Sequence, residues 1–170
     1  VRIPYLLEGR IDLSDEKRVE DTSVDVSSAM LNADDLLIVR TNGSRQLIGR
    51  TAVVQPGIDA AFASYLIRYR LDITRVRAEW VHLMMQAPST RSVLESMAAS
   101  SAGQYNLSLT KLDTVRLPVP KLADQDRLLA ACRDVVEASA RAAGEVQRAS
   151  SHGLALRRAL MAAAFSGQLT

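Results

Sequence analysis

Cysteine is nearly missing from this sequence: Cys132 stands alone, so no internal disulfide can staple the fold. Histidine is almost as scarce, and His82 and His152 lie seventy residues apart, so no Cys/His grouping has the spacing of a zinc site. A reducing, cytoplasmic setting is expected. Aromatic residues make up only 4% of the chain. No apolar run approaches the roughly 18 residues of a membrane span, and the opening Val1-Arg-Ile-Pro-Tyr-Leu-Leu7 lacks the layout of a signal peptide. No membrane partner is expected. The opening on Val1 rather than Met is what a piece of a longer protein would show. Ser44, Ser64 and Ser101 lack the setting of a nucleophile elbow, and Cys132 reads as a small core residue rather than a nucleophile. Catalysis and a cofactor are therefore not expected.

What is present suits one globular body with an appendage. At 170 residues, 48% hydrophobic and 24% charged, the chain can bury one core but is short for two. The net charge of +2 argues little by itself. Its distribution says more: residues 1–39 hold four basic and nine acidic side chains, whereas residues 40–77 hold seven arginines against Asp59 and Asp72. Arginine outnumbers lysine eighteen to three, and a planar guanidinium suits bidentate contacts to phosphate or guanine. An arginine-favouring genome explains the total equally well, but not the clustering.

Residues 1–35 alternate short apolar stretches with turn-forming residues and read as short strands and loops. Leu36-Leu-Ile-Val-Arg40 is a strand pattern ending in Thr41-Asn-Gly-Ser44, and Asn-Gly between apolar runs predicts a tight hairpin returning along Gly49–Val54. Residues 64–73 alternate Tyr65/Ile67/Tyr69/Leu71 with Leu66/Arg68/Arg70/Asp72, a strand with Arg68 and Arg70 on one face. Two helices are expected over 78–87 and 89–99, the second capped by Ser89. Residues 100–108 read as a polar loop, and a strand is expected to run into Leu117-Pro-Val-Pro120, whose prolines end the sheet region.

From Lys121 to about Ser166 there is no proline, and alanine, leucine and arginine dominate. The pattern predicts one long helix or two collinear ones. Leu129, Cys132, Val136, Ser139, Ala143 and Val146 recur at alternating spacings of three and four, a coiled-coil seam that Leu156, Leu160 and Ala164 resume after Ser150-Ser-His-Gly153. A kink or hairpin near Gly153 is compatible with that break.

Each candidate contact residue carries two readings. Thr41, Asn42, Ser44 and Arg45, flanked by Arg40 and Arg50, could present polar groups to DNA from a stiff scaffold, or could serve only the turn that Asn42 and Gly43 require. Arg68 and Arg70, extended by Arg75 and Arg77, suit phosphate or groove contact, or form a solvated, salt-bridged face. Gln104, Tyr105 and Asn106 offer amides able to pair with adenine and a ring able to pack on sugar or base; alternatively the amides cap nearby backbone and the ring fills a gap. Asp34-Asp35, with no third carboxylate nearby, reads as a turn or cap rather than a nuclease metal site. His82 reads as a half-buried helix residue.

Four segments resemble a known family in order along the chain. Asp35–Ser44 followed by Leu47-Ile-Gly-Arg-Thr-Ala-Val53 resembles the central hairpin of the target-recognition domains of type I restriction-modification specificity subunits. Gly103-Gln-Tyr-Asn-Leu-Ser108 resembles their Gly-Gln-x-Asn loop, Leu117-Pro-Val-Pro-Lys-Leu-Ala-Asp-Gln125 their proline-rich junction, and Leu160-Met-Ala-Ala-Ala-Phe-Ser-Gly-Gln-Leu169 the close of their conserved helix. The resemblance implies double-stranded DNA as ligand, and methyltransferase and restriction subunits as partners that hold the chemistry. It also implies an antiparallel helical partner, which a second copy or a second specificity half would supply. The chain departs from the pattern in having one recognition domain where two are usual, in lacking the segment that precedes Ile3-Pro-Tyr-Leu6, and in having Asp124-Gln125 where Glu-Gln is commoner.

The expected architecture is α+β: a β-rich recognition domain with short helices over 1–120 and a coiled-coil-forming helical arm over 121–170. The dimer or helix interface would use Leu129, Cys132, Val136, Val146, Leu156 and Leu160. Two competing functions are a coiled-coil interaction adaptor that does not bind DNA and a metal-dependent enzyme built on Asp34-Asp35.

Overall fold

Four consecutive apolar residues, Leu36–Val39, are all buried, as expected of a central strand covered on both faces. The computed structural model describes residues 1–3, 6, 7, 9–14, 25–101 and 103–166. Its strands are β1 (Leu6–Leu7), β2 (Arg10–Ile11), β3 (Leu36–Val39), β4 (Thr41–Asn42), β5 (Thr51–Val53), β6 (Leu66–Tyr69), β7 (Ala99–Ser101) and β8 (Gln104–Asn106). Its helices are α1 (Ala78–Gln86), α2 (Pro88–Met97), α3 (Leu109–Leu112) and α4 (Leu122–Phe165). The architecture is α+β with a long C-terminal helix. Residues 15–24 and the Gly167-Gln-Leu169 close lie outside the described residues.

The chain divides into a first unit, Val1–Asp126, and a second, Arg127–Thr170. In the first, β3 pairs antiparallel with β5, Leu36 opposite Val53, and with β6, Leu36 opposite Tyr69. A second three-stranded sheet has the order β4-β8-β7. Leu36, Leu37, Ile48, Val54, Leu94 and Leu107 are almost completely buried at the core.

The expected hairpin is half right. β3 and β5 do pair, but Asn42-Gly43 is not a two-residue turn between them. The chain leaves the first sheet at Arg40 and gives Thr41-Asn42 to the second, where Thr41 faces Asn106 and Asn42 faces Tyr105. Arg40 joins the two sheets: its N–H donates to Tyr65 O at 2.9 Å and its carbonyl accepts Leu107 N–H at 2.9 Å. A single 3-10 turn, Arg45–Leu47, completes the return to β5. The glycine in left-handed backbone is Gly49, φ 71°, not Gly43.

Other expectations need similar correction. The 100–108 loop is a β7–β8 hairpin turned at Gly103, φ 77°. The second helix begins at Pro88, its first residue, and its N-cap is Ala87 rather than Ser89; a proline there forfeits no helical hydrogen bond. Residues 115–120 form no strand. Trp80 Nε1 instead holds them by donating to Pro118 O at 2.8 Å.

In the second unit α4 runs through Gly153 without interruption, so there is no hairpin. Leu129 is half-buried, while Cys132, Val136, Val146, Leu156 and Leu160 are exposed. No helix among the described residues is long and apolar enough to cross a membrane.

Candidate nucleic-acid interface

Two-residue periodicity sorts the side chains of β8. Gln104 and Asn106 are exposed, while Tyr105 between them packs against the core. Beside them, Thr41 Oγ1 donates to Asn106 Oδ1 at 3.3 Å. Asn42 Oδ1 accepts the Ser44 N–H at 2.7 Å in an Asx turn. One lone pair of that carbonyl is used in the turn, and the NH2 of Asn42 can still donate to a ligand. The tips of the two loops adjoin, and a Cβ on Gly43 would stand 3.9 Å from Gly103 O.

Of these, Thr41, Asn42, Gly43 and Gln104 line a groove of about 540 Å³, together with Arg2, Arg50 and Tyr65. A second, more polar cavity of about 650 Å³ shares Leu6 and Arg50 with the first and adds Thr51, His82, Gln86, Arg91 and Glu95. Thr51 Oγ1 lies 2.7 Å from His82 Nδ1 and accepts from Gln86 Nε2 at 3.1 Å, so its hydroxyl can donate to the imidazole while accepting from the amide. Burial pushes the His82 pKa below its ordinary value, and the smaller pull of Glu79 opposes this. His82 is half-buried in a helix, in line with its sequence.

The structure thus brings Thr41, Asn42, Arg50 and Gln104 around one groove, with Asn106 on the adjoining strand pair. Ser44 is exposed just beyond Asn42. Arg40 is half-buried, and its Nε makes no hydrogen bond. Arg45 turns away, its Nε donating to Glu95 O at 2.8 Å.

Arg68, Arg70 and Arg75 do not line the groove. Arg68 donates to Met30 O at 2.6 Å and to Ser28 O at 3.2 Å, and it lies 5.2 Å from the Phe62 ring centroid. Both of its Nη atoms thus donate to the domain's own carbonyls. Arg70 is exposed, with Nε 3.8 Å from Asp35 Oδ1. Arg75 is exposed. Asp35 is buried and accepts the Asn32 N–H at 2.9 Å, and Asp34 has φ 65°, so the acidic pair shapes a turn.

Sequence reasoning overlooked Arg2 and Tyr65 in the groove and Arg91 in the second cavity. Arg91 sits in a helical pattern that reads as solvated surface, so its sequence carried no signal. Tyr65 stood on the apolar face of a strand pattern, which pointed inward.

No protein-family model matches the chain. It is similar to the type I restriction enzyme StySPI specificity subunit of Salmonella potsdam, 24% identical over 159 residues, which cover 93% of this chain and 34% of that protein. It is also similar to the type I restriction enzyme EcoKI specificity subunit of Escherichia coli (strain K12), 22% identical over 172 residues, covering 100% of this chain and 37% of that protein. The chain therefore spans about a third of the length of the curated relatives it matches.

Proposed function

We propose that this chain, as a relative of type I restriction specificity subunits, is a non-catalytic DNA-recognition part of such a subunit, with Val1 to about Pro120 binding double-stranded DNA at the Thr41–Arg50 loop and the β4–β8 pair. The observation that carries this reading is the convergence of Thr41, Asn42, Gln104 and Arg50 on one groove. Hydroxyls and amides can read base edges, while an adjoining guanidinium can hold phosphate. Methyltransferase and restriction subunits would supply the chemistry, so the chain itself would need no cofactor. From Lys121 onward the helix would serve as a coiled-coil arm, binding a second copy or a second specificity half through Leu129, Cys132, Val136, Val146, Leu156 and Leu160.

Within this reading Arg50 is the leading phosphate ligand, Arg70 and Arg75 are secondary, and Arg68 and Arg45 act mainly on the fold. Selection from random duplex DNA, with and without a methyltransferase subunit, should enrich a defined sequence. Arg50→Ala should weaken specific and random duplexes alike and flatten the log-affinity against log-salt slope by about 0.9. Gln104→Ala should relax preference at one position, at a cost of about 1–3 kcal/mol on the selected duplex. No affinity for any duplex would overturn this reading and favour the interaction-adaptor alternative.

A further inference from the structure

The loop that carries most of the candidate contacts is held from behind by one side chain. Arg91, on the first half of α2, donates from Nη1 to Ile48 O at 2.8 Å and from Nη2 to Gln46 O at 3.0 Å. Nη2 also donates to Glu95 Oε1, one turn further along the same helix, at 3.0 Å. Its side chain is only 15% exposed. A second link runs the other way, from Arg45 Nε to Glu95 O. Gly49 permits the approach: a Cβ there would stand 3.0 Å from Leu94 Cδ1 and 3.3 Å from Arg91 Nη1. The backbone between β4 and β5 is therefore pinned to α2 at Gln46 and Ile48, two residues before Arg50.

We propose that Arg91 is a positioning residue for sequence reading: its guanidinium fork fixes the Thr41–Arg50 loop so that Asn42 and Arg50 meet DNA in one arrangement. This rests on the recognition function proposed above. A planar fork serves two carbonyls at once, which a single ammonium does not reproduce. Its charge is answered by Glu95 and both of its Nη atoms donate to protein oxygens, so Arg91 is poorly placed to be a phosphate ligand. A loop fixed before binding spends less of its contact energy on ordering, and the register of its base contacts is kept.

The test compares the parent chain with Arg91→Lys, using a duplex enriched from a random library and the unenriched library duplex, at temperatures well below each melting transition. Arg91→Lys should lower the ratio of enriched to random affinity by about tenfold, equal to one lost bidentate base contact, with the salt slope on random duplex unchanged. Glu95→Gln keeps the carbonyl that holds Arg45 but weakens the grip on Arg91, and it should lower the ratio in the same sense by less. A ratio unchanged in Arg91→Lys, even with a lower melting temperature, overturns the positioning role. So does a slope flatter by about 0.9, which marks a phosphate contact. Should Arg91→Lys fail to fold, an unchanged ratio in Glu95→Gln overturns it equally. A parent that prefers no duplex fails earlier, at recognition itself, and removes the positioning role with it.

Discussion

The side-chain carbonyl of Gln125 accepts the backbone N–H of Arg77 at 2.9 Å. Its Nε2 donates to Pro120 O at 2.7 Å and to Arg75 O at 3.0 Å, and the residue is wholly buried. One amide therefore ties the first turn of α4 to the junction before it and to the N-cap of α1. Gln125→Leu would leave these buried groups without partners, at about 1–3 kcal/mol for each one that water cannot reach. Gln125→Glu should be worse, because a carboxylate would face two carbonyl oxygens and lose both donors. Thermal melts check this, and a Gln125→Leu variant that melts with the parent would remove the staple from the account.

The turn chemistry gives a second comparison. Gly49 has φ 71° and lies against Leu94, whereas Gly43 lies outside the left-handed region and an added Cβ would meet Gly103 O only at ordinary contact distance, 3.9 Å. Gly49→Val should therefore cost about 1–2 kcal/mol for backbone handedness alone, with the Leu94 clash added. Gly43→Val should be tolerated. The Asn-Gly pattern had marked Gly43 as the glycine the turn requires; equal melting temperatures for the two variants would contradict the assignment of that role to Gly49.

These glycines show how far the sequence was legible. The apolar run Leu36–Val39, the Pro88 boundary and the proline-free stretch after Lys121 each carry a local signal, and each became the expected kind of element. Asn42-Gly43 carried a local signal as well, but the long-range pairing of Thr41-Asn42 with Tyr105-Asn106 overrode it. No window of sequence displays a partner more than sixty residues away. The same holds for the candidate site. Polar types at 41–45 and 104–106 could be picked out, while the internal use of Arg68 depended on carbonyls of Ser28 and Met30.

His82 supplies a pH prediction. Burial, the leading cause, holds its pKa below the ordinary 6.5, so the folded chain favours the neutral imidazole and the unfolded chain takes up its proton first. The unfolded state then binds more protons, and folding loses stability as pH falls below about 6.5 toward the lowered folded value. Above 6.5 that contribution is fully present. Melting temperatures measured from pH 7.5 down to 5.5 should fall more steeply in the parent than in His82→Gln. Parallel curves would show that His82 titrates alike in both states.

The second unit makes the boldest demand. α4 is 44 residues long, about 66 Å at 1.5 Å per residue. Val136 is 67% exposed and Val146 70%, and Leu156 and Leu160 are about half exposed. Burying each such side chain against a partner is worth about 1.5–3 kcal/mol. The spacing of three and four from Leu129 to Val146 suits a helix laid alongside, and small residues at Ser139 and Ala143 permit close approach. A second copy would close the pair by two-fold symmetry, and with the DNA-reading role proposed for the first unit, two identical units would then prefer an interrupted palindrome. The chain should sediment as a dimer at micromolar concentration, and Leu129→Glu with Val136→Glu should make it a monomer with unchanged folding of the first unit. A monomeric parent would contradict self-association, and a dimer that survives the double substitution would place the interface elsewhere. If the parent is monomeric yet binds a separate specificity half through the same seam, the symmetric site is lost while the role of Leu129 and Val136 stands.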